Sequence, residues 1–371
     1  MSSKTRRTTA SSSGRNGPGR RGRYGPGEID RYNYVDRDIY SDSGRRRRRA
    51  KKGGCAKKAL TVFLLVLLAL AGGGLIYFHV LASRLNRSED VTSGDLQSYV
   101  QQPSAAPAWD VKSDGSVMNI LLLGVDENPN GSDGRSDTNI LLSADRGSKT
   151  LHLVSFLRDT YLEIPTVGKN KLNVAFAKGG AALTMQTLEN NYRVNIDKYV
   201  SVNFENFAAV IDKMGGLDVE MSKSACALEN KNMGSHLKAG VNHLNGRLCL
   251  YYARIRDASD GYGVNDFGRA GRQRQIIQLM IRKMVSLNPI ESNKILYDYL
   301  PYIKTNLSDG ELLYLASIAA AVSGYQTKSL QMPADNAYTD RTYKSAGRVL
   351  VPDLEKNCAL LRSFLYPSAA G

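Results

Sequence analysis

The chain has 371 residues and a formal net charge of +15, and its length suits one large domain or two ordinary ones. The charge is concentrated at the N-terminus: residues 1–58 contain 18 lysines and arginines against 5 acidic residues, whereas the other 313 residues contain 32 against 30. Because the remainder is almost neutral, the composition argues against a basic nucleic-acid-binding domain after the tail.

The first segments in chain order predict a membrane anchor. Residues 1–58 are rich in Ser, Gly, Arg and Pro and cannot bury enough apolar surface to fold, so we predict a disordered tail. Residues 59–82 contain no charged side chain, and their length fits one transmembrane helix. The positive-inside rule then places the tail in the cytoplasm, beside the anionic inner leaflet, and places the residues after 82 outside the cell membrane. A cleaved signal peptide is disfavoured, because its basic region would not be so long.

A stalk and one globular domain are predicted next. Residues 83–116 are polar, with the composition of a linker. Residues 117–371 form the predicted domain, which opens with VMNILLLGV, a continuous apolar run typical of a buried strand. Further strands are predicted at 139–144, 151–157, 199–204, 217–221 and 329–332, and helices at 172–191, 205–214, 245–255, 266–286, 290–299, 308–323 and 353–365. This alternation predicts an α/β fold with three α-β-α layers around a largely parallel or mixed sheet.

The cysteines and histidines do not indicate a metal centre. No CxxC pair and no Cys/His spacing typical of zinc occurs, so the sequence disfavours a zinc enzyme or a cysteine protease. Three cysteines lie in the predicted domain. A Cys226–Cys249 bridge is the favoured pairing, because both residues lie in one local segment, and it leaves Cys358 without an assigned partner.

The segment 251–275 contains five arginines and no lysine: Arg254, Arg256, Arg269, Arg272 and Arg274. Guanidinium is planar and permanently charged and grips phosphate with two hydrogen bonds, so the cluster predicts an anion site. Asp266 stands at the expected N-cap of the second of two helices, which would place Arg269 near a helix N-terminus. Arg274 should lie on another side of this helix, in solvent. The alternative is an ordinary solvated turn between two helices.

Charged residues also follow the predicted strands. Asp126 ends the first strand, Asp137 begins the second, and Arg158 and Asp159 follow the third. In open α/β sheets, ligands bind beyond the carboxyl ends of the strands. Since Mg²⁺ needs only one or two carboxylates besides phosphate oxygens and water, Asp126 and Asp137 are candidate metal ligands. Taken alone, Asp126 and Asp159 are each better explained as loop caps, because Asp after a strand is common; the metal and phosphate site is favoured only by the residues taken together.

Seven blocks of sequence carry a family resemblance: ILLLGVD (120–126), GRSDT (134–138), SFLRDT (155–160), KLNVAFAKGG (171–180), GGLDVE (215–220), LNGRLCLYYARIRD (244–257) and DFGRAGRQRQII (266–277). With these blocks in this order, the chain resembles the LytR-CpsA-Psr (LCP) family of bacterial cell-wall assembly over roughly residues 117–290. The resemblance implies a phosphotransferase that moves a glycopolymer, such as teichoic acid or capsule, from polyprenyl pyrophosphate to a peptidoglycan hydroxyl outside the membrane.

The same resemblance implies a set of site residues. Mg²⁺ or Mn²⁺ would be held by Asp126 and Asp137. The implied catalytic residues are Arg135, Arg158, Arg254, Arg256, Arg269 and Asp266. Asp159 and Asp266 would orient arginines, and Asp266 is also a candidate base for the acceptor hydroxyl. The implied substrate-binding residues are Lys171, Arg272, Gln273 and Asp159. The family also implies a hydrophobic slot for the lipid, which helices 172–191 and 273–286 would line. The expected partners are the lipid-linked glycan, peptidoglycan and the plasma membrane, with no nucleic acid bound by the folded domain.

Two departures from the family pattern bear on the function. Asn128 stands where an arginine commonly follows the first block, and Leu157 stands where a proline commonly precedes Arg-Asp. The first departure removes one guanidinium beside the predicted metal. It does not remove the core set of site residues. Two alternative functions stay open: a pyrophosphatase that uses the same lipid-linked substrate, and a non-catalytic wall-binding or regulatory module.

Overall fold

The structure, a computed structural model, describes residues 53–87, 117–126, 134–322 and 324–367. The helix predicted at 59–82 is present as α1 (Gly53–Ala82). Within the described ranges, however, no helix combines the length and the apolar character that crossing a membrane requires. The predicted span and its topology stay predictions, and most of the predicted tail and stalk lie outside the described residues, as does Asn128.

The folded domain begins with strands β1 (Val117–Asp126), β2 (Arg135–Asp145), β3 (Thr150–Phe156), β4 (Tyr161–Ile164) and β5 (Gly168–Lys171). It continues with α2 (Leu172–Tyr192), β6 (Lys198–Asn203), α3 (Phe204–Lys213), β7 (Leu217–Met221), α4 (Lys223–Met233), β8 (Gly240–Leu244), α5 (Gly246–Tyr252), α6 (Asn265–Ser286) and α7 (Pro289–Tyr299). The last elements are β9 (Lys304–Thr305), α8 (Asp309–Val322), β10 (Gln326–Met332), β11 (Tyr338–Tyr343), β12 (Gly347–Pro352) and α9 (Leu354–Leu365).

Six of these strands form a mixed central sheet in the order β10-β3-β2-β1-β6-β9. Strand β1 pairs with β6 in parallel and with β2 antiparallel, while β3 pairs with β2 antiparallel and with β10 in parallel. Strands β1, β3, β6 and β10 therefore all run in one direction. Because their carboxyl ends meet at one edge of the sheet, the polar residues that follow them gather there.

Helices cover both faces of the sheet, so the predicted α/β architecture with three layers is confirmed. On one face, Leu121 and Leu123 of β1 pack in the main core with Leu188 of α2 and Leu361 of α9. On the opposite face, Leu122 lines an apolar cavity beneath α3, α5 and α6. The alternation follows from the pleat of a strand, which points successive side chains to opposite faces.

Several short elements were not predicted from the sequence: β4, β5, α4, β8, β9 and the C-terminal hairpin of β11 and β12. Strand β11 has the sequence YTDRTY, and every residue in it except Tyr338 is exposed. Such a strand lacks the buried alternate positions by which a period-2 pattern is recognised. Helix α2 also differs from the prediction, because Gly179 and Gly180 leave helical geometry and kink it, with Gly180 at a φ of 58°.

The predicted disulfide is not formed. Cys226, Cys249 and Cys358 are all free and buried. The Cys226 thiol accepts a contact from the amide of Asn242 at 4.0 Å, and the Cys249 thiol donates to the carbonyl oxygen of Leu244 at 3.7 Å. Closeness in sequence was a poor guide, because the two cysteines lie on different helices, α4 and α5, and contact different partners.

A buried carboxyl lies beside these thiols, on α4. Glu229 is fully buried, and neither of its carboxyl oxygens has a hydrogen-bond partner among the described residues. Burial penalises the charged form and raises the pKa of Glu229 to about 7. The folded state therefore holds a proton on this group at pH values where the unfolded chain has already lost it.

This burial predicts a pH-dependent stability. The unfolding free energy should be highest below the ordinary glutamate pKa and should fall by about 3 kcal/mol as pH rises to the folded-state value. The Glu229→Gln variant should lose that part of the slope, as urea unfolding at pH 5, 6, 7 and 8 would show. Glu163→Gln is the matched control and should keep the slope, because Glu163 is an exposed glutamate of the same domain. Burial also raises the pKa of Glu189 to about 7, and both variants keep the part of the slope that Glu189 contributes. An unchanged slope in Glu229→Gln would contradict the prediction.

Candidate active site

The site lies at the sheet edge where β1 and β3 end, and it begins with a β-bulge. Gly124 pairs with Thr138 and Val125 pairs with Ser136, so Asp137 is an extra residue on β2 that faces no partner in this ladder. A bulge bends its strand and redirects the side chain at that position. The redirected carboxylate of Asp137 is half-buried and meets an arginine from the neighbouring strand end.

That arginine, Arg158, is the centre of the charged cluster. Its Nη1 donates to Asp137 Oδ1 at 2.7 Å, and its Nε lies 3.4 Å from Asp266 Oδ2 and 3.7 Å from Asp159 Oδ2. Burial alone would lower the pKa of Arg158, but the hydrogen bond with Asp137 and the three carboxylate charges outweigh burial and raise it. The Nε is buried and makes no hydrogen bond within the described part of the chain, and it lies between the carboxylates of Asp159 and Asp266.

One carboxylate orders three guanidinium groups. Asp266 Oδ1 lies 3.2 Å from Arg256 Nε, and Oδ2 lies 3.1 Å from Arg269 Nη2 besides its contact with Arg158. The prediction that Asp266 caps α6 was wrong: the N-cap is Val264, which makes no side-chain capping bond, and Asp266 lies inside the first turn. Its carboxylate is free to contact the arginines for that reason.

The cluster extends to Lys171, which lies at the start of α2. Lys171 Nζ is 2.8 Å from Asp159 Oδ1. Burial alone would raise the pKa of Asp159, but hydrogen bonds with Lys171 and Asp266 and the charge of Arg158 hold it below its usual value. Arg269, the most buried arginine of the cluster, has its pKa lowered to about 10 by burial and stays protonated at neutral pH.

An apolar cavity of about 190 Å³ opens beside the cluster. Its polar end is formed by Arg254 and Gln273, and the guanidinium of Arg254 lies over the Phe204 ring at 4.6 Å. Helix 273–286 lines this cavity as predicted, through Ile276, Ile277 and Met280. The prediction for helix 172–191 was wrong: within the described residues α2 contributes nothing to the lining, because it packs on the opposite face of the sheet.

Arg272 is structural. It was predicted to bind substrate, but it is fully buried, with Nη1 2.7 Å from Asp260 Oδ2 and Nη2 donating to the Ile255 carbonyl oxygen. It fastens the segment that precedes α6 onto that helix. The close approach is possible because Gly271 has no Cβ, since a Cβ there would lie 2.6 Å from Tyr262 Cβ. The pattern GRAG (268–271) was the sequence signal for this packing.

Arg274 is the second arginine whose environment differs from the prediction. It was expected in solvent, but it is largely buried, and its Nη1 donates to Ser155 Oγ at 2.8 Å. Burial lowers the pKa of Arg274 to about 10. Of the five arginines in the segment, Arg256 and Arg269 therefore join the cluster, Arg254 borders the cavity, and Arg272 and Arg274 hold elements together.

The predicted metal ligands lie at the outer end of the site. Asp126 is exposed at the end of β1, opposite Arg135 in the β1–β2 pairing, and Asp137 follows two residues later on β2. Asp137 uses Oδ1 for Arg158, which leaves Oδ2 for another ligand. Within the described ranges no group of three or more metal-binding side chains occurs. Two hard carboxylate donors on neighbouring strands fit Mg²⁺ that takes its remaining ligands from phosphate and water.

A second, polar groove of about 530 Å³ was not predicted from the sequence. Asp159, Lys171, Arg256 and Asp266 line one side of it, and the hairpin of β11 and β12 lines the other. The hairpin side chains that reach the groove include Tyr338, Asp340 and Arg348. They lie far from the charged motifs in the sequence, so no spacing rule could have connected them with the site.

Comparison with known proteins identifies relatives of this domain. A family model described as the LytR_cpsA_psr family matches residues 81–352. Regulatory protein MsrR of Staphylococcus aureus (strain COL) is 32% identical over 259 residues, 69% of this chain and 76% of MsrR. The polyisoprenyl-teichoic acid–peptidoglycan teichoic acid transferase TagV of Bacillus subtilis (strain 168) is 35% identical over 228 residues, 59% of this chain and 57% of TagV. The solved structure of YwtF (TagT) with bound octaprenyl pyrophosphate lipid is 25% identical and has a TM-score of 0.51. The match covers 67% of this chain and 90% of the YwtF chain.

Proposed function

The chain belongs to the LytR-CpsA-Psr family, and on that premise we propose that it is a phosphotransferase that moves a glycopolymer from polyprenyl pyrophosphate to a peptidoglycan hydroxyl. A relative is named as a transferase of teichoic acid onto peptidoglycan, and a relative of known structure binds a polyprenyl pyrophosphate lipid. In this proposal the protein is anchored in the cell membrane by residues 59–82, and the domain acts outside it.

One observation carries the proposal: an apolar cavity adjoins a cluster of guanidinium groups. Gln273 lines both the cavity and the small cleft that holds Arg158 and Arg269. A polyprenyl pyrophosphate has an apolar chain next to two phosphates, and this juxtaposition matches both parts of it. The predicted site residues carry an excess of two positive charges, which balances the two negative charges of a pyrophosphate diester. The cationic side chains are Arg135, Arg158, Lys171, Arg254, Arg256 and Arg269, and the carboxylates are Asp126, Asp137, Asp159 and Asp266.

The proposed chemistry is an in-line displacement at the phosphorus that carries the glycopolymer. The acceptor hydroxyl oxygen forms a new P–O bond, and the bond from that phosphorus to the bridging oxygen breaks. Polyprenyl phosphate leaves with the electron pair, and the acceptor proton is released to it or to water. The guanidinium groups of Arg158, Arg256 and Arg269 are fixed before the reaction, so they stabilise the developing charge without reorganisation.

Asp266 is better assigned as a positioning residue than as the base predicted for the acceptor hydroxyl. Three arginines contact its two oxygens, so both oxygens already face guanidinium groups rather than an acceptor hydroxyl. A loose phosphoryl-transfer transition state needs little help from a base. The main task of the carboxylates is therefore to orient the arginines.

A divalent ion fits this scheme. We propose that Asp126 and the free Oδ2 of Asp137 would hold Mg²⁺ or Mn²⁺ together with phosphate oxygens. When bound, the ion would supply positive charge that neutralises the phosphates. The contacts of Arg158, Arg256 and Arg269 with the cluster do not depend on it.

The test of the proposed function compares transfer with hydrolysis. The full-length chain in detergent is incubated with Mg²⁺ and a polyprenyl-pyrophosphate-linked disaccharide, with and without peptidoglycan. Transfer predicts that the disaccharide becomes covalently attached to peptidoglycan and that polyprenyl phosphate is released. Consumption of the donor at the same rate without acceptor, with no attached product, would instead identify a pyrophosphatase.

The apolar cavity predicts a selective effect on the lipid donor. Ile277 on α6 lines the cavity, and the Ile277→Trp variant would fill part of it. We expect the KM for a long-chain polyprenyl donor to rise about tenfold, because apolar surface of the lipid loses its burial. The control is a short-chain, water-soluble pyrophosphate donor, whose KM should be unchanged. Equal changes in both KM values would show that the cavity does not hold the lipid.

A regulatory role is the second candidate, because one relative is named a regulatory protein. The two candidates differ in what they require of the charged cluster. A wall-binding module needs charge but no ordered phosphate site, whereas three guanidiniums held by one carboxylate form an ordered site. The cluster therefore favours the enzyme.

A further inference from the structure

Two pockets adjoin the charged cluster: the apolar cavity and the polar groove. The small cleft around it is lined by Asp137, Arg158, Asp266 and Arg269. It shares Gln273 with the apolar cavity and Asp266 with the polar groove. A lipid pyrophosphate that enters from the cavity therefore leaves the groove open on another side of the same phosphate site.

From this arrangement we propose that the polar groove is the binding subsite for the acceptor glycan, with the hairpin of β11 and β12 as its outer wall. This inference rests on the proposed transfer function. In an in-line displacement the nucleophile and the leaving group lie on opposite sides of the phosphorus. The leaving group is the lipid phosphate, whose chain occupies the cavity, so the acceptor hydroxyl enters from the groove.

The hairpin is fastened to the strand end that carries Arg158 and Asp159. The Leu350 amide donates to the Asp159 carbonyl oxygen at 3.0 Å, and Thr160 and Leu350 form a parallel bridge. Two aromatic contacts fix the hairpin at its ends: Tyr161 stacks on Tyr343, and Phe267 stacks on Tyr338 with ring centroids 5.4 Å apart. Because the wall is held at several points, its polar side chains have defined positions relative to the phosphate site.

The chemistry of the wall suits an uncharged polyhydroxylated chain. Phe267 and Tyr338 present aromatic surface, which packs against the C–H faces of sugar rings, while Arg348 and Asp340 form an exposed ion pair at 3.1 Å that can bond hydroxyl groups. The carboxylates Asp335 and Asp340 also line the groove, and like charge disfavours a second phosphate group there. The wall is thus distinct from the opposite side of the groove, which carries Lys171 and Arg256.

The test replaces one wall residue and measures glycan binding directly. Calorimetric titration of soluble peptidoglycan oligosaccharides into full-length protein carrying Arg348→Ala should show affinity reduced about tenfold. The KM for the same oligosaccharides in transfer should rise similarly. The KM for the lipid-linked donor should stay unchanged. Arg341→Ala is the matched control, because Arg341 lies on the same hairpin, is exposed and does not line the groove.

Because glycan binding and glycopolymer transfer are measured separately, failure of this inference can be distinguished from failure of the proposed function. Loss of glycan affinity in Arg348→Ala but not in Arg341→Ala supports the subsite even if no transfer is detected. Equal affinity in the two variants overturns it. A rise in the KM for the donor alone also overturns it, because the groove would then hold the sugar of the donor. Thermal unfolding of both variants confirms that the exposed substitutions leave the fold intact.

Discussion

The Asp266→Asn variant is expected to lose about 100- to 1000-fold in kcat/KM for transfer, or roughly 3–4 kcal/mol of transition-state stabilisation. The substitution keeps the size of the side chain and removes the charge that contacts Arg158, Arg256 and Arg269. Three guanidiniums without their shared partner repel one another and no longer face one phosphate group. Initial rates with the lipid-linked donor and peptidoglycan measure the effect.

Asp257→Asn is the control for this variant, since Asp257 is an exposed carboxylate of the same segment. It should retain the wild-type rate. A similar loss in both variants would mean that net charge, rather than the arrangement around Asp266, sets the rate. Retention of activity within about threefold by Asp266→Asn would contradict the assigned role, because a fixed charge contact to a transition state is worth more than that.

The Arg272→Ala variant is expected to lose about 3–5 kcal/mol of unfolding free energy. Arg272 is fully buried, and its removal leaves the carboxylate of Asp260, itself almost buried, without its partner. It also leaves the Ile255 carbonyl oxygen without that donor. Urea unfolding at neutral pH measures the loss, which we expect to appear as a lower midpoint.

A double variant separates the two origins of this loss. Arg272→Met combined with Asp260→Leu removes both charges, so most of the stability should return, because the main cost is an unpaired buried charge. A loss below about 1 kcal/mol in Arg272→Ala, the size of an ordinary exposed ion pair, would contradict the structural role. If the double variant regains stability but transfers glycopolymer more slowly than the wild-type chain, the Arg272–Asp260 pair also shapes the segment before α6.

The elements predicted well from the sequence are those in which the pattern of apolar residues directly reflects which faces are buried. The run VMNILLLGV is apolar because β1 is covered on both faces, and α6 shows its buried side through Ile276. Strand β11 was missed because only Tyr338 in it is partly buried, while Tyr343, which stacks on Tyr161, and the residues between them are exposed. Its partner surfaces lie more than seventy residues away in sequence, at Phe267 and Tyr161.

The candidate site residues were also predicted unevenly from the sequence. Charged residues at the strand ends were predicted correctly to gather, because parallel strands bring their carboxyl ends to one edge. The roles of single residues were less predictable. Asp266 does not cap its helix as predicted, but it contacts the arginines that it was also predicted to orient. Arg274 was predicted in solvent and bonds Ser155, and Arg272 was predicted to bind substrate and is buried. These outcomes depend on a bulge, a glycine contact and a distant serine, and none of these has a fixed spacing from the arginines.

The most direct test of the central claim measures polymer attachment to the wall in cells from which the protein has been deleted. The deletion strain is complemented with the wild-type chain, with Asp266→Asn or with Arg158→Ala, and peptidoglycan-bound phosphate is quantified after removal of free polymer. If the guanidinium cluster catalyses transfer, the wild-type chain restores bound phosphate and both variants, present at equal amounts, do not. Restoration by either variant to the wild-type amount would contradict the account and identify a non-catalytic role.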